Sequence, residues 1–97
     1  MKVRVTPRAR ADLHEIRDYI SKRSPSGARN VLRSIYSGIA FITENPRGAT
    51  TTDEPAVRVK VIVEYPYKIF YTIGADAVVE ILHIRHSARR PWRGAGG

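Results

Sequence analysis

Cations spaced two apart and a pair of histidines are the side chains in this 97-residue sequence best placed to do chemistry, and the chemistry they suit is that of phosphates. Arg58 and Lys60 alternate with Val57, Val59 and Val61, Lys68 lies between Tyr67 and Ile69, and Arg85 follows an apolar stretch ending at Ile84. A strand turns alternate side chains to one face, and neighbouring strands bring such side chains within reach, so these four can assemble a basic face. Arg offers a planar fork and Lys a compact charge, both matched to phosphate oxygens. Solvated charges that protect a sheet from edge-to-edge pairing have the same spacing, and both readings stand at the level of sequence. Which face Arg58, Lys60 and Lys68 occupy is also open, since both faces of these strands carry apolar residues.

His83 and His86 lie three apart, so in a continuous strand they point to opposite faces and do not share a metal. The sequence has no cysteine, which removes thiol nucleophiles, thiolate metal sites and disulfides, and no cofactor is expected. His86, between Arg85 and Arg89, sits where a nearby anion would be stabilised. It can serve as a general acid or base on RNA, or simply hydrogen-bond the chain as it leaves the sheet. Arg89 and Arg90 continue the run of charge, with Trp92 as a surface on which a base could stack. Tyr67 and Tyr71 share a face with Ile69 and Ile73 and read as packing residues. No glycine-rich phosphate loop, Ser-His-Asp order or paired-carboxylate motif is present.

The elements that must hold these groups follow from periodicity. Residues 3–5 are a short alternating stretch, and Thr6-Pro7 supplies a capping hydroxyl with a proline preset for the first helical turn. Ala9, Leu13, Ile16 and Ile20 then lay an apolar stripe along a helix over residues 7–23. Ser24-Pro25 repeats the start signal, and Ala28, Val31, Leu32, Ile35, Ile39 and Ile42 mark a second helix that ends before Pro46. Gly38 inside it hints at close approach of a neighbouring backbone. Residues 45–55 read as a loop. Beyond them the period changes to two, giving strands over 57–61, 67–73 and 78–84 in an antiparallel meander. Counting directions through the chain makes the first strand antiparallel to those at 57–61 and 78–84. The expected fold is α+β in two layers, β-α-α-β-β-β, with a helical hairpin on one face of an antiparallel sheet. Residues 1–92 are expected to form a single domain and residues 93–97 a disordered tail.

Seventeen Lys and Arg against nine Asp and Glu leave a formal net charge of +8, so an anionic partner is expected: nucleic acid, an acidic protein or a membrane surface. The apolar runs fall short of the roughly 20 residues that span a bilayer, and residues 1–4 lead into no signal-like segment, which points to the cytoplasm and away from membranes.

The order strand, helical hairpin, meander, with ARADLHEIRDYISKRSP near the start, FITENPRG at the end of the second helix, YPYKIFYTI in the third strand and ILHIRHSARR near the close, resembles the RelE/ParE superfamily of bacterial type II toxins. NPRG, YKIFY and the histidine-bearing ending look more like its ParE branch. The resemblance implies a growth-arresting toxin neutralised by a cognate antitoxin in a hetero-oligomer. ParE-like members inhibit DNA gyrase, which implies target-binding roles for Arg58, Lys60, Lys68, Arg85, His86, Arg89, Arg90 and Trp92, with no catalytic residue. RelE-like members cleave messenger RNA on the ribosome, and their cations and C-terminal groups fall on Lys68, Arg85, His86 and Arg89. The tyrosine several of those nucleases carry near the end has no match, Trp92 being the nearest aromatic. A third reading is a basic nucleic-acid-binding domain without toxicity. From charge, the antitoxin is expected to bring an acidic, amphipathic segment to the apolar grooves of the hairpin.

Overall fold

A computed structural model describes residues 1–87. Both helices start where the sequence signals them. Thr6 is extended and its hydroxyl accepts the Ala9 N–H at 3.2 Å, opening helix α1 (Pro7–Ser21). Ser24 accepts the Gly27 N–H at 3.0 Å and opens α2 (Pro25–Glu44). Ala9, Leu13 and Ile16 of α1 and Ala28, Val31, Ile35, Ile39 and Ile42 of α2 are buried, while Ile20 and Leu32 are partly covered. The hairpin of helices lies on one face of the sheet, where the two stripes meet Ile62, Tyr67, Ile69, Tyr71, Val79, Ile81 and Ile84 in one core.

Five strands make that sheet: β1 (Val3–Val5), β2 (Thr50–Thr51), β3 (Arg58–Ile62), β4 (Tyr67–Ile73) and β5 (Val79–His86), in the order β1-β5-β4-β3-β2. The meander β3-β4-β5 is antiparallel throughout, as its short turns require. The direction expected for the first strand is not found: β1 runs parallel to β5, with Val3 opposite Val79, so the sheet is mixed. The cause is β2, a two-residue strand inside the segment read as a loop, which pairs antiparallel with β3. That extra traverse reverses every strand after it. Two threonines carry no periodicity by which to find it.

Gly38 answers a close approach, though of side chains and not of backbone. A Cβ added there would stand 2.6 Å from Ile62 Cδ1 and 3.0 Å from Ile69 Cδ1, so the missing side chain lets α2 settle onto β3 and β4. Among the described residues no helix is long and apolar enough to cross a membrane.

Candidate functional site

The site is built at the β5 edge, and its starting point is the shortness of β1. With three residues, β1 covers β5 only from Val79 to Ile81. The next polar groups on β5 are met by the beginning of α1. Thr6 donates its backbone N–H to Ile81 O at 3.1 Å and its hydroxyl to the same oxygen at 2.7 Å. Nearly two turns later Asp12, 7% exposed, places Oδ2 where it accepts the Ile84 N–H at 3.0 Å and the Nδ1–H of His83, itself 5% exposed. Arg8 approaches the other carboxylate oxygen, with Nε 3.5 Å from Oδ1. A buried carboxylate is tolerable only with such partners. Sequence reading passed over Asp12, although its position was informative: three residues after Ala9 and four before Ile16, it falls on the buried stripe of α1.

Beside this contact β5 carries a bulge. Tyr71 pairs with Ile81 and Phe70 with His83, so Leu82 is an extra residue on β5. Val79 and Ile81 face the helices before the bulge, and Ile84 and His86 do so after it. Arg85 consequently turns to the opposite face, where it is directly across from Lys68. His86 stands edge-on to Tyr67, ring centroids 5.3 Å apart. A cleft of about 570 Å³ opens here, lined among others by Arg8, Glu15 and Tyr19 of α1, Tyr67, Arg85 and His86.

The basic residues singled out from the sequence therefore separate. Arg58 and Lys60 lie opposite Tyr71 and Ile69, on the face that carries the helices, while Lys68 and Arg85 share the other face, so the four do not form one basic surface. Arg58 donates Nη1 to Ala49 O at 2.9 Å and to Arg47 O at 3.3 Å, anchoring the turn after α2. Tyr71 secures the same turn, its hydroxyl donating to Pro46 O at 2.6 Å. Burial pushes that phenol above its ordinary value, with the Arg58 guanidinium and the Ala49 backbone offsetting part of the rise. Lys60 holds its ammonium 4.4 Å above the Phe41 ring of α2. Arg89, Arg90 and Trp92 lie outside the described residues, as does the expected tail at 93–97.

On the outer side of the hairpin a second, open groove of about 520 Å³ runs along α2. It is shallow, lined by Leu32, Tyr36 and Ala40 together with Arg29 and Arg33. Tyr36 is 54% exposed there, a large apolar body without cover among the described residues.

Comparison with known proteins returns toxins under both ParE and RelE names. Residues 3–91 match the family described as the ParE toxin of type II toxin-antitoxin systems, parDE. Toxin RelE2 of Caulobacter vibrioides is 40% identical over 85 residues, covering 87% of this chain and 92% of that protein. The structure superposes on a chain of the chromosomal ParDE toxin-antitoxin system from P. aeruginosa with a TM-score of 0.77. That match spans 89% of this chain and 95% of the other at 22% identity, and it shows a common fold.

Proposed function

The chain belongs to the ParE toxin family of type II toxin-antitoxin systems, and from that premise we propose that it arrests growth in the cytoplasm by binding and inhibiting DNA gyrase until a cognate antitoxin neutralises it. The observation that carries this reading over a nuclease is the divergence at the end of β5. Lys68 and Arg85 are directly opposed on one face, whereas His86 turns to the other, beside Tyr67. Acid–base cleavage of RNA needs a proton-transfer group and phosphate-binding cations within hydrogen-bond reach of one reacting centre. Arg85 and His86 both line the cleft, but Lys68 is not part of its lining and lies on the face away from His86, and two opposed cations suit recognition of a charged surface. Arg89, Arg90 and Trp92 would extend that surface. Arg58 and Lys60, engaged with the turn after α2 and with Phe41, would contribute less than the sequence suggests.

The test is a supercoiling assay with purified toxin. Inhibition of gyrase or accumulation of cleaved DNA is expected at near-stoichiometric toxin, with Lys68→Ala and Arg85→Ala each weakening it by about ten-fold, as for loss of one charged contact of ~1.4 kcal/mol. No effect of the wild-type protein at large excess would remove the gyrase reading. The likeness to Toxin RelE2 keeps one alternative in view, a ribosome-dependent messenger endoribonuclease using Lys68, Arg85, His86 and Arg89. Cleaved messenger in a translation reaction, lost in His86→Ala, would establish it instead.

The antitoxin is assigned to the groove along α2. An acidic amphipathic helix there would cover Leu32, Tyr36 and Ala40 while pairing with Arg29 and Arg33.

A further inference from the structure

We propose that Asp12 is a positioning residue for the end of β5, acting through the bulge to decide which face Arg85 and His86 occupy. The inference rests on the reading of that end as the target-facing surface, and its structural half can be tested independently of it. Asp12 is the one α1 side chain that holds two consecutive β5 residues at a single oxygen, the ring Nδ1–H of His83 and the backbone N–H of Ile84. Those two residues immediately follow Leu82, the extra residue of the bulge.

The consequence for the faces can be worked out residue by residue. If β5 continued without the bulge, the pairing of Tyr71 with Ile81 would carry on as Phe70 with Leu82, Ile69 with His83, Lys68 with Ile84 and Tyr67 with Arg85. Arg85 would then point among the helices and Ile84 would stand beside Lys68 on the other face. A slip of one residue exchanges every side chain between faces. With the bulge, Ile84 lies opposite Ile69 in the core and Arg85 opposite Lys68. Thr6 holds the near side of the bulge, its hydroxyl reaching Ile81 O at 2.7 Å and Leu82 O at 3.3 Å, and beyond it two forces favour the bulged register: burial of Ile84, and the paired hydrogen bonds to Asp12. The first is diffuse and tolerates a mobile strand end. The second is directional and fixes the Ile84 amide and the His83 ring at set positions, which is what aiming Arg85 requires. Bulges beside functional sites commonly re-aim a side chain in this way.

Asp12→Ala and Asp12→Asn in the full chain separate these causes, because the amide side chain keeps an oxygen to accept the Ile84 N–H. Backbone amide exchange and cross-strand proton contacts would be followed by NMR, and gyrase inhibition measured in parallel. Asp12→Ala is expected to speed exchange of the Ile84 amide by about 100-fold, to weaken the Ile69–Ile84 pairing and to reduce inhibition at least about ten-fold; a ten-fold loss corresponds to ~1.4 kcal/mol. Asp12→Asn is expected to restore the pairing and most of the inhibition. Should Asp12→Ala not fold, Asp12→Ser, with a shorter oxygen, carries the same readings. An unchanged Ile84 amide and pairing in the variant lacking the carboxylate would overturn the inference, and so would a lost pairing with full inhibition. Failure of the wild-type protein to inhibit gyrase would remove the proposed function alone, and the positioning role would then be decided by exchange and pairing.

Discussion

Several polar side chains of this protein act at a distance along the chain from where they stand. Thr6 is both the cap of α1 and a donor to β5, 75 residues away in sequence. Arg58 and Tyr71, opposite each other on β3 and β4, hold the turn that follows α2. The Tyr71 phenol leads to a pH prediction. Its folded value is raised above about 10, so in the interval between the two values the unfolded chain has lost its phenolic proton while the folded chain retains it. Stability from this group is therefore complete below pH ~10 and falls as pH rises through the raised folded value. Urea unfolding between pH 8 and pH 11 should show a steeper alkaline decline in the wild type than in Tyr71→Phe. At neutral pH the variant should be less stable by about 1 kcal/mol, for a lost hydrogen bond to Pro46. Parallel alkaline slopes would contradict the assignment.

Among the elements, α2 owes its closeness to β3 and β4 to the absence of a side chain at Gly38. Gly38→Val should destabilise by about 1–3 kcal/mol, the cost of overpacking, even though glycine is itself a poor helix former. A variant as stable as wild type in urea denaturation would show that Ile62 and Ile69 repack freely. How much of these elements could be read beforehand depends on their length. Both helices were legible from Thr6-Pro7 and Ser24-Pro25 and from apolar stripes several turns long, and the meander from its alternation. β2 was not, being two threonines without a pattern, and its omission alone inverted the expected direction of β1. The bulge was equally hidden, since residues 78–84 are apolar at all positions but Glu80 and His83 and no alternation marks the shift. For that reason Lys68 and Arg85 were nameable as cations while their shared face was not. Asp12 was missed because a carboxylate on an apolar stripe has its meaning only through the strand it meets.

At the scale of the whole molecule, cations outnumber anions by nearly two to one and the two candidate surfaces lie on different elements, the α2 groove and the end of β5. Charge should therefore dominate the approach of an acidic antitoxin more than its final packing. Raising ionic strength from about 0.1 M to 1 M shortens the screening length from ~10 Å to ~3 Å. The association rate measured by stopped flow is expected to fall by about ten-fold or more, with a smaller change in dissociation. A salt-independent association rate would mean that apolar contact with Leu32, Tyr36 and Ala40 governs the encounter.

The pairing of Val3 with Val79 also sets an order of events during synthesis. Both helices, and the residues by which they touch each other, are in hand once Glu44 has emerged, whereas their cover by the sheet and the edge that aims Arg85 have to wait for β3 to β5. At about 5–20 residues per second, the stretch from Glu44 to His86 takes roughly 2–8 s to make. During that interval a nascent chain can present the surface assigned to its antidote and not the one assigned to its target. If an antitoxin takes the α2 surface as proposed, a chain held at that stage would finish folding already restrained.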